Sequence, residues 1–270
     1  MSPRSPADLE ARLRDLTSEL CEPLTLDGLT RNFKMFQRRR GHRHSTDDLL
    51  TAWYAATHAC APVTTLLDLG TGIGSIGLSL AWYFETATLT AIEVQRLSFR
   101  LLSENVWANG LEARVHAVFG DLRDALPAGA FDLVTGSPPY FDVRAGIVSA
   151  DPQRAGARFE LCGDVGDYCR AARRALAPGG CFVFCFPTAQ RARAERACES
   201  ASLPIVATRD VVPKEGLSPL FSLFACHGED GEPRTPVHHE RPFVVRDRAG
   251  AHTAEMSAAR ALFGMGLGDP

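Results

Sequence analysis

From Thr64 onward the chain alternates short apolar runs with longer segments of helical spacing, and this alternation limits the fold more than any other feature. The runs TTLLDLG, ATLTAIEV, ARVHAVFGD, FDLVTGSPPY and CFVFCF read as strands. Between them, IGSIGLSLAWYF, QRLSFRLLSENVWANG and VGDYCRAARRALAPGG read as helices, with Gly110 as a stop signal. QRARAERACESAS is a further helix, and IVATRDVVP and PLFSLFACH are two final strands. Strands separated by helices of this length predict a parallel α/β sheet. Only the short loop KEGLS joins the last two strands, too few residues for a parallel crossover, so they form an antiparallel hairpin. The expectation is a seven-stranded, mostly parallel sheet with an antiparallel C-terminal hairpin over residues 61–270.

Residues 1–60 read as a separate N-terminal helical extension. Leu9, Leu13 and Leu16 share one face of a helix over 5–20, capped by Ser5 or Asp8. A helix over Leu49–Cys60 is capped by Ser45 or Thr46. The Pro/Gly-rich stretch Gly228–His239 reads as a mobile loop, and RPFVVRDRAGAHTAEMSAARALF offers a last short strand and helix.

At 270 residues and 45% apolar content the chain can bury a full core. A net charge of −3 excludes a globally basic coat protein but not a local basic patch. No apolar stretch reaches the roughly 18 residues of a bilayer span, and the first residues lack the apolar core of a signal peptide. A cytoplasmic protein with no membrane partner is expected. The eight cysteines are scattered, with no CxxC pair and no Cys/His cluster of zinc spacing. Cys181 and Cys185 alternate onto the face of Val183 and read as buried apolar residues. The HHE run at 238–240 reads as a surface turn, so no metal is expected.

The sharpest site signal is Asp68-Leu-Gly70-Thr-Gly72-Ile-Gly74, where the first strand of the alternation meets its helix. Glycines there permit a tight turn and close approach of a ligand to the backbone. Dinucleotide enzymes share such loops, so the acids decide. Asp68 precedes the glycines; a carboxylate suits a ligand carrying an ammonium group and repels pyrophosphate. Glu93 ends the second strand, 25 positions on, placed for two ribose hydroxyls. Asp121 and Leu122 follow the third strand, placed for an adenine amino group. One acid at each of three successive strand ends favours S-adenosyl-L-methionine (AdoMet) over NAD.

The fourth strand runs into Ser137-Pro138-Pro139-Tyr140-Phe141. This corner is a signature of enzymes that methylate planar amino or amide nitrogens. An exocyclic amine shares its lone pair with the ring and is a poor nucleophile. The Ser137 hydroxyl and the Pro138 carbonyl each accept one amine hydrogen, pulling the nitrogen toward tetrahedral geometry and aiming its lone pair at the methyl group. Pro139 helps fix the turn, Tyr140 stacks on a flat acceptor, and Phe141 extends the substrate side. Upstream, Arg31, Lys34, Arg38, Arg39, Arg40 and Arg43 interleave with Phe33 and Phe36. Arg38, Arg39 and Arg40 suit a phosphate backbone, while the two Phe either stack on bases or anchor the segment to the core.

The chain resembles the bacterial tRNA(Val) adenine N6-methyltransferase family, within the Rossmann-like AdoMet-dependent methyltransferases. The likeness runs from about Phe33 to Phe263. It rests on Phe33-x-x-Phe36, Ser45-Thr46-Asp47, DLGTGIG, Glu93, GDL, the PPYF corner, the Val212-Pro-Lys-Glu-Gly turn, and Pro242-Phe-Val-Val-Arg before Glu255-Met256. It implies that Asp68, Gly70 and Gly72 hold the methionine end of AdoMet, Glu93 the ribose and Asp121 the adenine. It implies further that Thr46 and Asp47 stand at the cofactor mouth, that Ser137, Pro138 and Tyr140 hold the target base, and that tRNA is the partner. The family usually has Asn where this chain has Ser137, and Ser-Pro-Pro-Tyr is common among cytosine N4-methylating enzymes. Adenine N6 in tRNA, another amino acceptor (cytosine N4, protein glutamine, a small metabolite) and a non-catalytic AdoMet-binding scaffold are the readings left open.

Overall fold

The computed structural model describes residues 3–59, 62–124, 131–142, 144, 148–228 and 236–266. Cys60 and residues 229–235 of the expected mobile loop lie outside the described residues.

The chain opens with helix α1 (Pro6–Leu20), whose cap Ser5 accepts from the Asp8 amide at 3.2 Å. Strands β1 (Leu24–Gly28) and β2 (Lys34–Arg38) then pair as an antiparallel hairpin. The extension is therefore helix plus hairpin rather than helix alone. Strict alternation is missing from β2 because Met35, Phe36, Gln37 and Arg38 are all buried, two of them polar. Helix α2 (Thr46–His58) begins at Ser45, whose amide donates to Asp48 Oδ2 at 3.1 Å.

The alternating region follows: β3 (Thr65–Leu69), α3 (Ser75–Tyr83), β4 (Thr88–Glu93), α4 (Arg96–Ala108), β5 (Val115–Phe119) and β6 (Phe131–Gly136). Helix α4 stops where the sequence indicates: Gly110 takes φ +66° and Leu111 N closes onto Val106 O at 3.0 Å. After β6 comes α5 (Pro152–Arg158), then α6 (Val165–Ala175), β7 (Leu176–Pro187), α7 (Arg191–Ser200), β8 (Ile205–Val212) and β9 (Phe221–His227). Short strands β10 (His238–His239) and β11 (Phe243–Val244) and helix α8 (Ala254–Leu262) complete the chain.

Seven strands form the body of the sheet in the order β8-β9-β7-β6-β3-β4-β5. All are parallel except β9, which runs antiparallel to both β7 and β8, as the short KEGLS loop requires. Strands β10 and β11 add to β8 in parallel. The HHE run is thus a strand edge rather than a surface turn, and its Glu240 accepts from Tyr54 Oη at 3.0 Å and contacts His58 Nε2 at 2.9 Å.

Period-two alternation in β7 sends Cys181, Val183 and Cys185 into one core layer and Phe182, Phe184 and Phe186 into the other. The first layer lies under α2, α3, α4, α8 and the hairpin; the second lies under α6 and α7. Phe33 and Phe36 are buried in the first, so they anchor the extension rather than stack on a base. The hairpin backbone is stitched to α4 by Asn105 and Asn109, whose Oδ1 atoms accept from Phe36 N at 2.6 Å and Lys34 N at 2.8 Å. Among the described residues no helix is long and apolar enough to cross a membrane.

Candidate active site

The chain lays down β3, β4 and β5 in one direction, then returns to place β6 on the other side of β3. The carboxyl ends of β3 and β6 therefore lie side by side at the point where strand order reverses, the usual place for a ligand in an open α/β sheet. The glycine loop leaves β3 there and the Ser137–Phe141 corner leaves β6. Both line one cavity of about 990 Å³, together with Thr46, Asp47, Glu93, Asp121 and Leu122. Small-molecule sites run to roughly 1,000 Å³, so this space can take a cofactor and a planar acceptor together.

Gly70 and Gly72 adopt φ of +57° and +61°. A side chain on Gly70 would meet Tyr168 Oη at 2.0 Å, whereas one on Gly72 meets nothing within 4 Å. Gly70 is therefore closed by packing and Gly72 is open to the cavity. Asp68 lines the same cavity and is also tied into the loop. It is 1% exposed, and both carboxylate oxygens are already engaged. Thr71 Oγ1 and Gly77 N donate to Oδ2 at 2.5 and 3.0 Å, and Thr135 Oγ1 donates to Oδ1 at 2.8 Å. Asp68 thus shapes the loop, while Oδ1, with a single donor, keeps a second lone pair in a residue that lines the cavity. The threonines that bond it carry no signal in a single sequence.

Glu93 is buried and holds the loop from the other side. Its Oε2 accepts from Gly72 N at 2.8 Å and its Oε1 from Gln95 N at 2.7 Å. Burial pushes its carboxyl up to about 7, against the pull of these donors. Asp121 is shifted the other way: Arg123 grips it at 2.9 and 2.5 Å and lowers its pKa. Thr46 is exposed in the first turn of α2.

At the corner, Pro138 and Pro139 are buried, Ser137 and Tyr140 are half-buried and Phe141 is exposed. Ser137 Oγ lies 3.4 Å from Cys185 Sγ. No donor among the described residues reaches the Pro138 carbonyl, and Pro138 lines the cavity. Tyr140 is fixed at both ends. Its hydroxyl donates to Asp47 Oδ2 at 3.0 Å, and Gln190 Nε2 donates to its carbonyl at 2.7 Å. Burial raises the Tyr140 pKa well above its ordinary value, so the hydroxyl remains a donor. Cys185, Gln190 and Asp47 thus support the corner from three elements. Only Asp47 is singled out by a sequence motif; Cys185 reads as an ordinary core residue.

Of the three arginines expected to face phosphate, Arg38 does not. It is 7% exposed, and its guanidinium donates to Asp151 at 2.7 Å, Glu22 at 2.8 Å and Gln153 at 3.2 Å. A strand-end position turns it inward, where it ties the extension to α5. Arg39 and Arg40, in the turn that follows, are exposed. Arg154 and Arg158 on α5 also line the cavity and escaped the sequence reading. Helix α5, PQRAGAR, has no apolar stripe to announce it.

The fit to AdoMet rests on Gly72, whose open face leaves room for a ligand against the backbone, and on acids at three strand ends. Residues 49–161 match the methyltransferase small domain. A tRNA1(Val) (adenine(37)-N6)-methyltransferase of Histophilus somni is 28% identical over 212 residues, covering 77% of this chain and 83% of that protein. A ribosomal protein uL3 glutamine methyltransferase of Francisella tularensis is 38% identical over 80 residues, covering 30% of this chain and 26% of its own length. The fold is shared with a solved predicted O-methyltransferase, Atu636 of Agrobacterium tumefaciens, at a TM-score of 0.64 and 18% identity over 82% of this chain and 98% of that one. The chain is an AdoMet-dependent methyltransferase of Rossmann-like fold. Within that class its sequence kinship is with the bacterial tRNA1(Val) (adenine(37)-N6)-methyltransferases, a likeness that extends well beyond the small domain on both sides of the corner.

Proposed function

We propose that this enzyme methylates the exocyclic N6 of an adenine in tRNA. The observation that carries the reading is that Ser137 and Pro138, whose carbonyl receives no bond from the described residues, line the same cavity as the open Gly72. Bound AdoMet supplies a methyl group on a positively charged sulfur. Ser137 Oγ and the Pro138 carbonyl accept the two amine hydrogens and stabilise the charge that appears on nitrogen. The Asp47 and Gln190 bonds hold the Tyr140 ring so that a flat base meets a preset surface. Glu93 orients the ribose, Asp121 and Leu122 the adenine of the cofactor, and the tight Gly70 turn lets the open face of Gly72 and the Asp68 carboxylate take its methionine end. Asp121 serves this role while keeping Arg123: Oδ1 already accepts from Arg123 N and Nε, but Oδ2 has one donor and a second lone pair. Thr46 stands at the mouth. No strong base is needed, because a methylated ammonium loses its proton readily to water. Arg39, Arg40 and Phe141 lie on the RNA side, and a tRNA substrate puts the protein in the cytoplasm.

Ser137 favours a second reading, cytosine N4. Its hydroxyl sits on a shorter stem than the Asn amide usual in the family, and that changes how far the amine must enter. Methyl transfer from labelled AdoMet to tRNA lacking its own modifications, with nucleosides resolved by mass spectrometry, separates the two. Label in N6-methyladenosine supports the first reading and label in N4-methylcytidine the second. Label in neither, with AdoMet bound, overturns both.

A further inference from the structure

Helix α5 joins the N-terminal extension to the corner. At its C-terminal end, the Arg158 carbonyl accepts from Tyr140 N at 3.1 Å and from Phe141 N at 2.9 Å. One turn back, Arg154 Nε donates to Gly41 O at 3.2 Å, and the buried Gln153 accepts from His42 N at 3.2 Å. The backbone carrying Arg158 is therefore fixed to the residues that hold the target base.

Four positions apart, Arg154 and Arg158 share a helix face. Both are exposed and both line the cavity. Neither has an acidic partner within 4 Å among the described residues, in contrast to Arg38, Arg43, Arg123, Arg144, Arg191 and Arg193. The nearby His42 imidazole is pushed down by burial, with Asp47 opposing and Arg158 and Arg154 adding to the shift. In a chain of net charge −3, these are two uncompensated cations at the rim of the site. A base turned out of its stack into a pocket leaves its own phosphates at the entrance. A planar guanidinium suits a phosphate because it offers two parallel donors.

We propose that Arg154 and Arg158 clamp the RNA backbone phosphate next to the target nucleotide. This inference rests on the RNA reading above. It gives the enzyme a phosphate contact fixed to its catalytic corner, separate from the Arg39–Arg40 turn.

The test uses the full chain and an unmodified tRNA transcript. Dissociation constants for tRNA are measured across a potassium chloride series for wild type, Arg158→Gln and the Arg154→Gln/Arg158→Gln double variant. KM for tRNA and AdoMet affinity are measured alongside. Loss of two phosphate contacts should flatten the log–log salt slope by about 1.4, at roughly 0.7 per contact with single-stranded RNA. KM for tRNA should rise roughly tenfold per guanidinium removed, the loss expected for a charge-assisted hydrogen bond, with AdoMet affinity unchanged. Arg158→Lys, which keeps the charge, should retain most of the slope. Arg158→Gln alone leaves every bond described for its backbone intact, so it reads the contact without disturbing the fold. If wild type methylates no RNA, the RNA reading falls and the clamp with it. If wild type methylates RNA while the double variant keeps its slope and KM, the RNA reading stands and the clamp falls. Loss of AdoMet affinity with an unchanged salt slope would assign the arginines to the cofactor carboxylate and likewise overturn the clamp.

Discussion

Glu93 has two demands on one side chain: it braces the glycine loop through Gly72 N, and it lines the cavity where we propose that it holds the cofactor ribose. Burial lifts its carboxyl from 4.5 to about 7. A folded-state value above the unfolded one means that the native form keeps a proton the unfolded chain has lost. This contribution to stability is full below 4.5 and is lost as pH rises to about 7. Asp48, raised by burial from 3.8 to about 8, acts with the same sign. Asp121, Asp132 and Asp151 are shifted down from 3.8, so their windows lie lower and do not overlap. His42, His44, His227 and His252, pushed below 6.5 mainly by burial, act with the opposite sign in that window. The prediction is therefore a difference: the melting temperature of the AdoMet-free parent should fall relative to that of Glu93→Gln as pH rises from 4.5 to about 7. Parallel curves for parent and variant would remove Glu93 from the titration. At the corner, Ser137→Ala should lower kcat about 5- to 150-fold, the equivalent of about 1–3 kcal/mol for an unpaired hydrogen-bonding group. An unchanged kcat would exclude the hydroxyl from orienting the amine.

Two glycines of one loop, two residues apart, should respond to the same substitution in different ways. Both have positive φ, which costs an alanine about 1–2 kcal/mol. Gly70→Ala also drives a methyl group into Tyr168, so it should disturb α6 and the corner as well as the loop. Tyr168→Phe should relieve this only in part, since the ring carbon Cζ would still lie 2.9 Å away. Gly72→Ala points into the cavity and should leave the fold cooperative while weakening AdoMet roughly tenfold or more, the loss expected when a close backbone approach is blocked. Calorimetric titration beside thermal unfolding distinguishes them; equal unfolding temperatures for the two variants would contradict the packing argument. Helix α5 shows the opposite case, an element with no pattern in sequence. It is held by its Asp151 cap, by Pro152 at its start and by contacts from Arg38, Gly41 and the corner. Its seven residues bury only Gln153 and Ala155, too little apolar surface to generate a helical periodicity.

Across the whole molecule, the extension is joined to the core through polar as well as apolar contacts. Arg38 links Glu22, Asp151 and Gln153, and Arg12 reaches Glu104 of α4 at 2.7 Å. Neighbouring arginines in a single basic run therefore have separate duties. Arg38→Ala should destabilise the protein by about 1–3 kcal/mol through the hydrogen-bonding groups it strands, without altering the salt dependence of tRNA binding. Replacing Arg39 and Arg40 together should do the reverse, leaving the unfolding temperature in place and flattening the salt slope. If Arg38→Ala flattened the slope while stability held, its inward assignment would be wrong.

The sequence by itself determined the order of strands and helices, the antiparallel final hairpin, the glycine loop, the three strand-end acids and the proline corner. These follow from local chemistry: side-chain periodicity, turn residues and loop length act over a few positions and leave their mark in the chain. Tertiary structure decided how those local pieces are spent. Asp68 turns to Thr71 and Thr135, Arg38 turns inward, and Cys185 and Gln190 come under the corner because the strand order reverses between β3 and β6. Whether a charged side chain meets solvent, substrate or another charge depends on elements distant along the chain. For Arg38 and Asp151 the separation is 113 positions, and no local pattern encodes a partner that far away.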